Sequence, residues 1–222
     1  QDFTANVSHE LKTPLPSISG YAELMENNLG DAENITNFAR SIHQNADRLL
    51  TLINDIIRLS ELDAIPQVPE FEELDLYKIA QNCVQLLQVN AQNHNVRILL
   101  NGDMQMVYAN RQMMEELIYN LCDNAIRYNK PEGSVEVNVF QSKRGVVLAV
   151  KDTGIGIPCE HQERIFERFY RVDKSRSKET GGTGLGLAIV KHIAVVHDAA
   201  LELVSEPEVG TQIQVIFPKT HR

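Results

Sequence analysis

Residues 3–15 read Phe-Thr-Ala-Asn-Val-Ser-His-Glu-Leu-Lys-Thr-Pro-Leu, and this stretch places a histidine beside a carboxylate within an apolar helical repeat. A neutral imidazole is a nucleophile near pH 7, because its reference pKa is about 6.5. The neighbouring Glu10 can hold or accept one ring proton of His9 while the other ring nitrogen attacks. A surface histidine on an amphipathic helix is the simpler interpretation, since a short motif alone is only a hypothesis.

Residues 1 to about 63 have the periodicity of two amphipathic helices that are separated by a break at Gly30 and Asp31. Apolar residues recur at spacings of three, four and seven: Phe3, Val7, Leu11, Leu15, Ile18, Ala22, Met25 and Leu29, then Ile35, Phe38, Ile42, Ala46, Leu49, Ile53 and Ile56. Two helices bury little apolar surface by themselves, so we expect the hairpin to pair with a second copy in a dimeric four-helix bundle. Packing of this seam against the rest of the same chain is the alternative, which the full length of the seam disfavours.

Two prolines follow the histidine within the first helical pattern. His9 lies about 200° round the helix from the seam residue two positions earlier, so we expect it to be accessible to a partner. Pro14 and Pro16 lack a backbone N–H and would free the carbonyls of Glu10 and Lys12. A simple bend and a site that opens and closes are both compatible with this pattern.

The composition is that of a soluble globular protein, with 43% hydrophobic and 23% charged residues among 222. A net charge of −9 argues against a nucleic-acid partner, which requires a clustered basic surface. No apolar run is long enough to span a bilayer. Cys83, Cys122 and Cys159 lack metal-ligand spacing, so we expect reduced thiols in a cytoplasmic setting. Because the chain begins at Gln1, just upstream of the histidine motif, we expect it to be a piece of a longer protein.

Beyond the hairpin, the pattern changes to alternating helices and strands. Residues 64–72 contain two prolines in a short acidic stretch and are predicted to be a linker. A two-layer α/β sandwich with a mixed sheet is predicted from helices at 75–93, 111–129 and 184–197 and strands at 96–101, 105–109, 134–141, 145–152, 200–205 and 211–217. We therefore expect an α+β multidomain chain, with a helical domain at 1–65 and a sandwich domain at 73–222.

One face of the predicted helix 111–129 has the residue types of a nucleotide site. Asn120 and Asn124 are four residues apart, and Arg127 and Tyr128 follow one turn later. Two amides, a guanidinium and an aromatic ring can meet a metal ion, phosphates and a purine. An ordinary polar helix face would look the same if it stood alone.

An acidic residue and two glycines end the strand predicted at 145–152. Gly154 and Gly156 let the backbone approach a ligand closely, and Asp152 can accept the exocyclic amine of adenine. A strand-terminating turn is the alternative, since a single Gly-x-Gly is weak support.

Glycines also open the predicted helix 184–197, in the sequence Gly181-Gly182-Thr183-Gly184-Leu185-Gly186. Free N–H groups at a helix start can bind phosphate oxygens, and neither the P-loop nor the dinucleotide fingerprint is present. A Gly-rich turn without a ligand is the alternative. Between the glycine segments, an aromatic stretch at 165–173 precedes a polar stretch at 174–180, which suits either a nucleotide lid or a disordered surface loop.

In their order along the chain, these five segments resemble those of the sensor histidine kinases of bacterial two-component systems. Residues 9–14 resemble the phosphoacceptor box, 111–129 the asparagine box, 152–156 and 182–186 the two glycine boxes, and 165–171 the phenylalanine box. The resemblance covers nearly the whole chain and implies a dimeric hairpin followed by a Bergerat-type ATP-binding domain. It also implies ATP and Mg²⁺ as ligands, a response regulator as partner, and a full-length protein that is membrane-bound through a preceding region.

The resemblance implies a role for each matching residue. His9 would be the phosphoacceptor, Glu10 its acid–base partner, and Thr13 would position a water for dephosphorylation of the regulator. The nucleotide contacts would be Asn124 to Mg²⁺ with Asn120 beside it, Arg127 and Arg171 to phosphates, Tyr128 near the nucleotide, Asp152 to adenine, Gly154 and Gly156 in the pocket wall, and Gly182, Gly184 and Gly186 at the lid base.

Asn120 favours a kinase over a plain ATPase. Related hydrolysing ATPases place a Glu one turn before the metal-binding Asn, and the amide of Asn120 cannot be a general base. The γ-phosphate would then await another nucleophile, for which His9 is the candidate. We therefore expect autophosphorylation on His9 and transfer to an Asp of a response regulator, with the same hairpin a candidate phosphatase. A plain ATPase or serine kinase, and a non-catalytic dimerisation and signal-relay module, are the alternatives.

Two positions depart from the family pattern. Pro16 stands where the family more often has a small hydroxyl residue, and His197-Asp198-Ala199 replaces a frequent His-Gly-Gly. The first affects the expected bend below His9 and the second affects the expected turn, but neither removes a catalytic group.

Overall fold

The hairpin contains three helices instead of the two that its periodicity predicts. The computed structural model describes residues 2–27, 29, 31–63, 70–173 and 182–219. Helix α1 spans Asp2–Lys12, α2 spans Pro14–Glu26 and α3 spans Ala32–Asp63. The predicted first helix is divided at Thr13, whose hydroxyl donates a hydrogen bond to the carbonyl of His9 at 3.0 Å. Prolines 14 and 16 cannot donate to the preceding turn, which explains the division. The predicted break at Gly30 lies outside the described residues.

Two faces of α3 are apolar, and they have different environments. Leu52 and Leu59, seven residues apart, are 4% and 0% exposed and belong to one core cluster with residues of the C-terminal domain. Leu50, Ile53 and Ile57 lie on another face and are 59%, 42% and 52% exposed. Packing against the same chain, the alternative interpretation of the seam, therefore accounts for one face of α3 and leaves the other uncovered.

A mixed sheet forms one layer of the C-terminal domain, as predicted, but it has five strands, because the strand predicted at 105–109 pairs outside it. Its strands are β2 (Arg97–Gly102), β4 (Ser134–Gln141), β5 (Gly145–Asp152), β6 (Ala200–Glu206) and β7 (Gly210–Pro218), in the order β2-β4-β5-β7-β6. The β2–β4 pair is parallel and the other neighbours are antiparallel. A separate antiparallel pair joins β1 (Glu72–Asp75) to β3 (Met106–Ala109). The sequence Glu-Glu-Leu-Asp lacks apolar alternation, so β1 was not predicted.

Three helices cover one face of the sheet and form the second layer. They are α4 (Leu76–Asn93), α5 (Arg111–Arg127) and α7 (Gly186–Val196), while the short helix α6 (Cys159–Gln162) lies at the domain edge. Side-chain oxygens of Asp75 and Asn110 cap α4 and α5 by accepting backbone N–H bonds at 3.0 Å each. Every second residue of β4 from Val135 to Val139 is fully buried beneath these helices. Among the described residues, no helix combines the length and the apolar character needed to cross a membrane.

The turn after α7 forms without the glycines that the family usually has there. Asp198 adopts a left-handed backbone conformation with φ 51°, which a glycine would adopt without strain. Before it, buried His197 accepts the backbone N–H of Asn110 through Nε2 at 3.1 Å and donates from Nδ1 to the carbonyl of Ile193 at 2.8 Å. Burial lowers the pKa of His197, in keeping with this neutral tautomer. His197 thereby joins the end of α7 to the start of α5.

Candidate functional site

The predicted phosphoacceptor is exposed, and one ring nitrogen faces its neighbouring carboxylate. His9 has a side chain 78% exposed, and its Nδ1 lies 3.7 Å from Oε1 of Glu10, whose side chain is 20% exposed. This distance is too long for a hydrogen bond, but it directs Nδ1 towards Glu10 and leaves Nε2 as the outward nitrogen. Thr13 caps the same turn through its bond to the carbonyl of His9. The three predicted hairpin residues are therefore adjacent.

The second carboxylate oxygen of Glu10 contacts two arginines. Oε2 lies 3.6 Å from Arg48 of α3 and 3.2 Å from Arg171, the last residue of the phenylalanine box. Burial lowers the pKa of Arg171, and the charge of Glu10 opposes that shift. The structure thus places Arg171, predicted to meet phosphates, against the hairpin and beside the predicted phosphoacceptor.

The two asparagines of α5 lie against the start of α7. Asn120 donates through Nδ2 to the carbonyl of Glu116 at 3.0 Å, which leaves its Oδ1 directed outward. A Cβ on Gly186 would lie 2.8 Å from Oδ1 of Asn120 and 3.7 Å from Nδ2 of Asn124. A side chain here would displace the amide of Asn120, so the N-terminus of α7 approaches both amides closely. Helix α5 and the start of α7 are therefore in contact, as the predicted nucleotide site requires.

The end of α5 carries the next two predicted residues. Arg127 is bound to Asp123 one turn earlier at 2.7 Å, and Asp123 also accepts from Asn90 of α4 at 2.9 Å. The carbonyl of Tyr128 accepts the N–H of Ile155 at 3.1 Å, which fixes the first glycine segment beside the helix. Arg127 therefore has a carboxylate partner in this structure.

Asp152 lies at the end of β5 in a partly buried position. Its Oδ1 accepts the N–H of Gly154 at 2.8 Å and that of Thr211 at 3.2 Å. Because both donors bind Oδ1, Oδ2 is the oxygen with which a ligand donor would pair. Burial raises the pKa of Asp152 to about 6, against the opposing effect of the two N–H bonds.

Close backbone contacts explain the glycines of the first glycine segment. A Cβ on Gly154 would overlap the carbonyl oxygen of Tyr128 and lie 2.9 Å from Oδ1 of Asp152. Gly156 has φ +67°, and a Cβ there would overlap the carbonyl of Glu206. Gly154 therefore lets the loop close over the end of α5, and Gly156 lets it pass the end of β6.

The second glycine segment packs against the phenylalanine box. Gly184 has φ +74°, and its carbonyl accepts the N–H of Phe169 at 2.8 Å. Phe169 is itself left-handed, with φ 64°. A Cβ on Gly182 would lie 3.0 Å from the hydroxyl of Tyr128, so this residue, too, adjoins the end of α5. The lid predicted at 174–180 lies outside the described residues.

Tyr170 anchors the phenylalanine box to α6. Its hydroxyl lies 2.6 Å from Nδ1 of His161, and the guanidinium of Arg164 stacks over its ring at 4.3 Å. These contacts fix the position of Tyr170. Its neighbours Phe169 and Arg171 contact the second glycine segment and the hairpin, respectively.

Two polar contacts between α3 and the C-terminal domain were not predicted. Thr183 donates from Oγ1 to Oδ2 of Asp55 at 2.6 Å, and Arg58 donates from Nε to Oε2 of Glu116 at 2.7 Å. The partners are separated by 128 and 58 residues, so periodicity carries no signal for them. Thr183 and Glu116 belong to segments that the sequence singled out, the second glycine box and the asparagine box, but no motif includes their partners on α3.

Two family models match this chain. Residues 109–221 match "Histidine kinase-, DNA gyrase B-, and HSP90-like ATPase", and residues 1–65 match "His Kinase A (phospho-acceptor) domain". The chain belongs to the sensor histidine kinases. The predicted fold is confirmed, since a helical region precedes an ATP-binding domain with a mixed sheet, as in the family.

Relatives support the same assignment. Sensor-like histidine kinase SenX3 of Mycolicibacterium smegmatis is 39% identical over 222 residues, which are 99% of this chain and 57% of SenX3. Phosphate regulon sensor protein PhoR of Pseudomonas aeruginosa is 37% identical over 219 residues, which are 98% of this chain and 49% of PhoR. This histidine kinase chain therefore spans about half the length of the curated relatives it matches.

Solved structures share the arrangement of the whole chain. Histidine kinase ThkA, crystallised in complex with response regulator protein TrrA, is 25% identical with a TM-score of 0.79, over 99% of this chain and 62% of that chain. Histidine kinase AdeS of Acinetobacter baumannii is 21% identical with a TM-score of 0.73, over 94% of this chain and 98% of that one, and shows the same fold.

Proposed function

We propose that this chain is the core of a sensor histidine kinase, which phosphorylates itself on His9 from ATP and passes the phosphoryl group to an Asp of a response regulator. One observation carries the proposal. An exposed His9, with Nδ1 towards a carboxylate, lies in the same chain as an ATP-binding domain. In this proposal, residues 1–65 form the dimerisation and phosphotransfer domain and residues 73–222 the catalytic domain.

The hairpin supplies the nucleophile. Nε2 of His9 attacks the γ-phosphorus, and the bond from that phosphorus to the bridging oxygen of ADP breaks. Oε1 of Glu10 would close the 3.7 Å gap to Nδ1 and hold its proton, which would keep the electron pair on Nε2 available and stabilise the imidazolium that develops. The two arginines on Oε2 balance the charge of Glu10, so its carboxylate is held in place beside the ring.

The C-terminal domain would position the nucleotide. Oδ2 of Asp152 accepts the exocyclic amine of adenine, and the backbone around Gly154 and Gly156 forms the pocket wall. The N-terminus of α7 at Gly186, with Gly182 and Gly184 in the loop before it, meets phosphate oxygens. The amide oxygens of Asn120 and Asn124 suit a hard cation. Oδ1 of Asn120 already faces the start of α7, whereas Asn124 presents Nδ2 there, so the Asn124 amide would have to turn over to offer its oxygen. Mg²⁺ held by Asn124 would neutralise the developing phosphate charge.

The three remaining nucleotide contacts need different amounts of rearrangement. Tyr128 already adjoins Gly182 and needs little movement. Arg127 would share its guanidinium between Asp123 and phosphate. Arg171 must leave Glu10 to reach phosphate, so its transfer from carboxylate to phosphate would accompany the reaction.

Asn120 supports transfer to a protein nucleophile over hydrolysis. Its amide has no basic site that could activate water, and Nδ2 is already donated to the carbonyl of Glu116. A plain ATPase would require another base at this position. The serine-kinase and non-catalytic alternatives leave the pairing of His9 with Glu10 unexplained.

The partners follow from the hairpin. We propose a homodimer, because Leu50, Ile53 and Ile57 present an uncovered apolar face on α3. The exposed His9 is available to a response regulator receiver domain, and ThkA is a family member that was crystallised with its regulator protein. In the full-length protein, a preceding region is proposed to anchor the dimer in the membrane, since sensor kinases of this family commonly have one.

The test is incubation with γ-labelled ATP and Mg²⁺. His9→Gln should abolish acid-labile, base-stable label, whereas His43→Gln should retain it. His43 is a matched control because it is on α3, is also 78% exposed and also has an acidic neighbour, Asp47, at 3.4 Å. Acid-stable phosphoserine, or label that persists in His9→Gln, would refute the assignment.

Phosphatase activity of the hairpin is tested separately. Thr13→Ala should slow dephosphorylation of a phosphorylated regulator while His9 still takes label, if the Thr13 hydroxyl positions water. Thr13→Ser keeps the hydroxyl and should retain most of the activity. Equal loss in both variants would instead assign Thr13 to the break between α1 and α2.

A further inference from the structure

A carboxylate of the hairpin lies against the second glycine segment. Asp55 of α3 accepts the hydroxyl hydrogen of Thr183 through Oδ2 at 2.6 Å, and Thr183 is only 8% exposed. The N–H of Leu185 donates to the same hydroxyl at 3.3 Å, one residue before α7 begins. The hydroxyl is therefore fixed between the hairpin and the helix start that is proposed to bind phosphate.

Asp55 lies close to Arg127, one of the residues proposed to meet the nucleotide phosphates. Its carboxylate feels the positive charge of Arg127 and the negative charges of Glu116 and Asp123, all on α5. Burial raises the pKa of Asp55, and the bond from Thr183 opposes this shift. An anionic group of this chain thus already lies among the groups that would receive phosphate.

The hydrogen bond is part of a larger docking contact. Arg58, three residues after Asp55, bridges Glu61 of its own helix at 3.1 Å and Glu116 of α5 at 2.7 Å. Leu52 and Leu59 are buried at the same face of α3. One face of α3 is therefore held against the C-terminal domain by four residues at spacings of three, four and seven, namely Leu52, Asp55, Arg58 and Leu59.

We propose that Asp55 competes with the nucleotide phosphates for Thr183, so that the ATP-binding domain stays docked on α3 until nucleotide displaces this carboxylate. The inference rests on the proposed nucleotide site. A hydroxyl has one hydrogen to donate, so the Thr183 hydroxyl cannot serve both acceptors, and two anions at this point would repel each other. By linkage, nucleotide weakens the docking contact by the factor by which docking weakens nucleotide binding.

The first experiment compares nucleotide affinity among charge variants of α3. Asp55→Ala removes the competitor and should tighten ADP and ATP binding about tenfold, in line with the usual strength of a hydrogen bond to a charged group. Asp55→Asn keeps the shape and an acceptor oxygen but loses the charge, so an intermediate gain is expected. Asp47→Asn is the matched control, because it removes one charge from an exposed position on the same helix and should change nothing.

Adenosine separates competition with phosphate from a general effect of the variant. It lacks phosphates, so Asp55→Ala should leave its affinity unchanged. A gain for adenosine equal to that for ADP would overturn the proposed competition at Thr183. ADP affinity that is unchanged or weaker in Asp55→Ala, with circular dichroism showing a folded chain, would also overturn it.

Failure of this inference and failure of the proposed function give different results. If the nucleotide site is as proposed, Asp152→Asn weakens ADP binding both in the otherwise unchanged chain and when it is combined with Asp55→Ala. If the chain binds ADP and Asp55→Ala leaves the ADP affinity unchanged, only the proposed competition is refuted. Absence of adenine-nucleotide binding in every variant refutes the proposed site and the competition together.

Discussion

In the proposed nucleotide site, Asp152 should make the affinity for adenine nucleotides depend on pH in a defined direction. Its pKa is raised to about 6 by burial, and only the ionised carboxylate offers Oδ2 as an acceptor for the adenine amine. At pH 7 the group is mostly ionised, and at pH 5 about a tenth of it is. Affinity for ADP should therefore fall about tenfold between pH 7 and pH 5, which corresponds to about 1.4 kcal/mol.

The assay is calorimetric or fluorescence titration of ADP across this pH range, with Asp152→Asn as the control. The Asn side chain can keep Oδ1 for the N–H groups of Gly154 and Thr211, which places its NH₂ group against the adenine amine. This variant should bind more weakly at pH 7 and should retain only the pH dependence that comes from the phosphates of ADP. If ADP affinity depends on pH equally in the unchanged chain and in Asp152→Asn, the role of Asp152 in adenine recognition is refuted.

Three further predictions concern the loop, the turn and the buried acid. Gly154→Ala should lower nucleotide affinity at least tenfold because its Cβ overlaps the carbonyl of Tyr128, while Gly20→Ala, with nothing within 4 Å of the new Cβ, should retain affinity and gain up to about 1 kcal/mol of stability in urea. Asp198→Gly should stabilise the chain by about 1 kcal/mol in the same assay, since the left-handed turn is strained for Asp, and an unchanged midpoint would contradict this. Because the folded pKa of Asp152 is raised, ligand-free stability should fall as pH rises from about 4 through about 6, by up to about 3 kcal/mol, and Asp152→Asn should remove that slope.

The sequence predicted those elements whose local pattern agrees with their packing. Strand β4 alternates and has one buried face, and α4 and α5 begin at Asp75 and Asn110, which cap them. Gly154, Gly156 and Gly184 were also predictable, because a Cβ at each of them would meet backbone atoms. At Gly182 and Gly186, by contrast, a Cβ would meet only side-chain atoms. By contrast, β1 contains only one apolar residue, Leu74, and exists because β3 offers a partner. Its pairing is a tertiary effect that a local pattern does not carry.

The spacing of the motifs did not predict which residue Arg171 contacts. Its position in the phenylalanine box favours a phosphate contact, but the structure pairs it with Glu10, which is 161 positions earlier in the chain. A motif gives the chemistry that a residue can perform, whereas the charge nearest to it depends on how two domains meet. The same reason explains why the contact of Asp55 with Thr183 had no signal in the sequence.

The two apolar faces of α3 explain why a continuous seam gave an ambiguous prediction. Leu52 and Leu59 face the C-terminal domain, whereas Leu50, Ile53 and Ile57 remain exposed for a second copy. A single helix surface can serve both contacts because 3.6 residues per turn separate the two sets by about 100° or more. In the proposed dimer, α3 therefore joins the partner on one side and the nucleotide domain on the other.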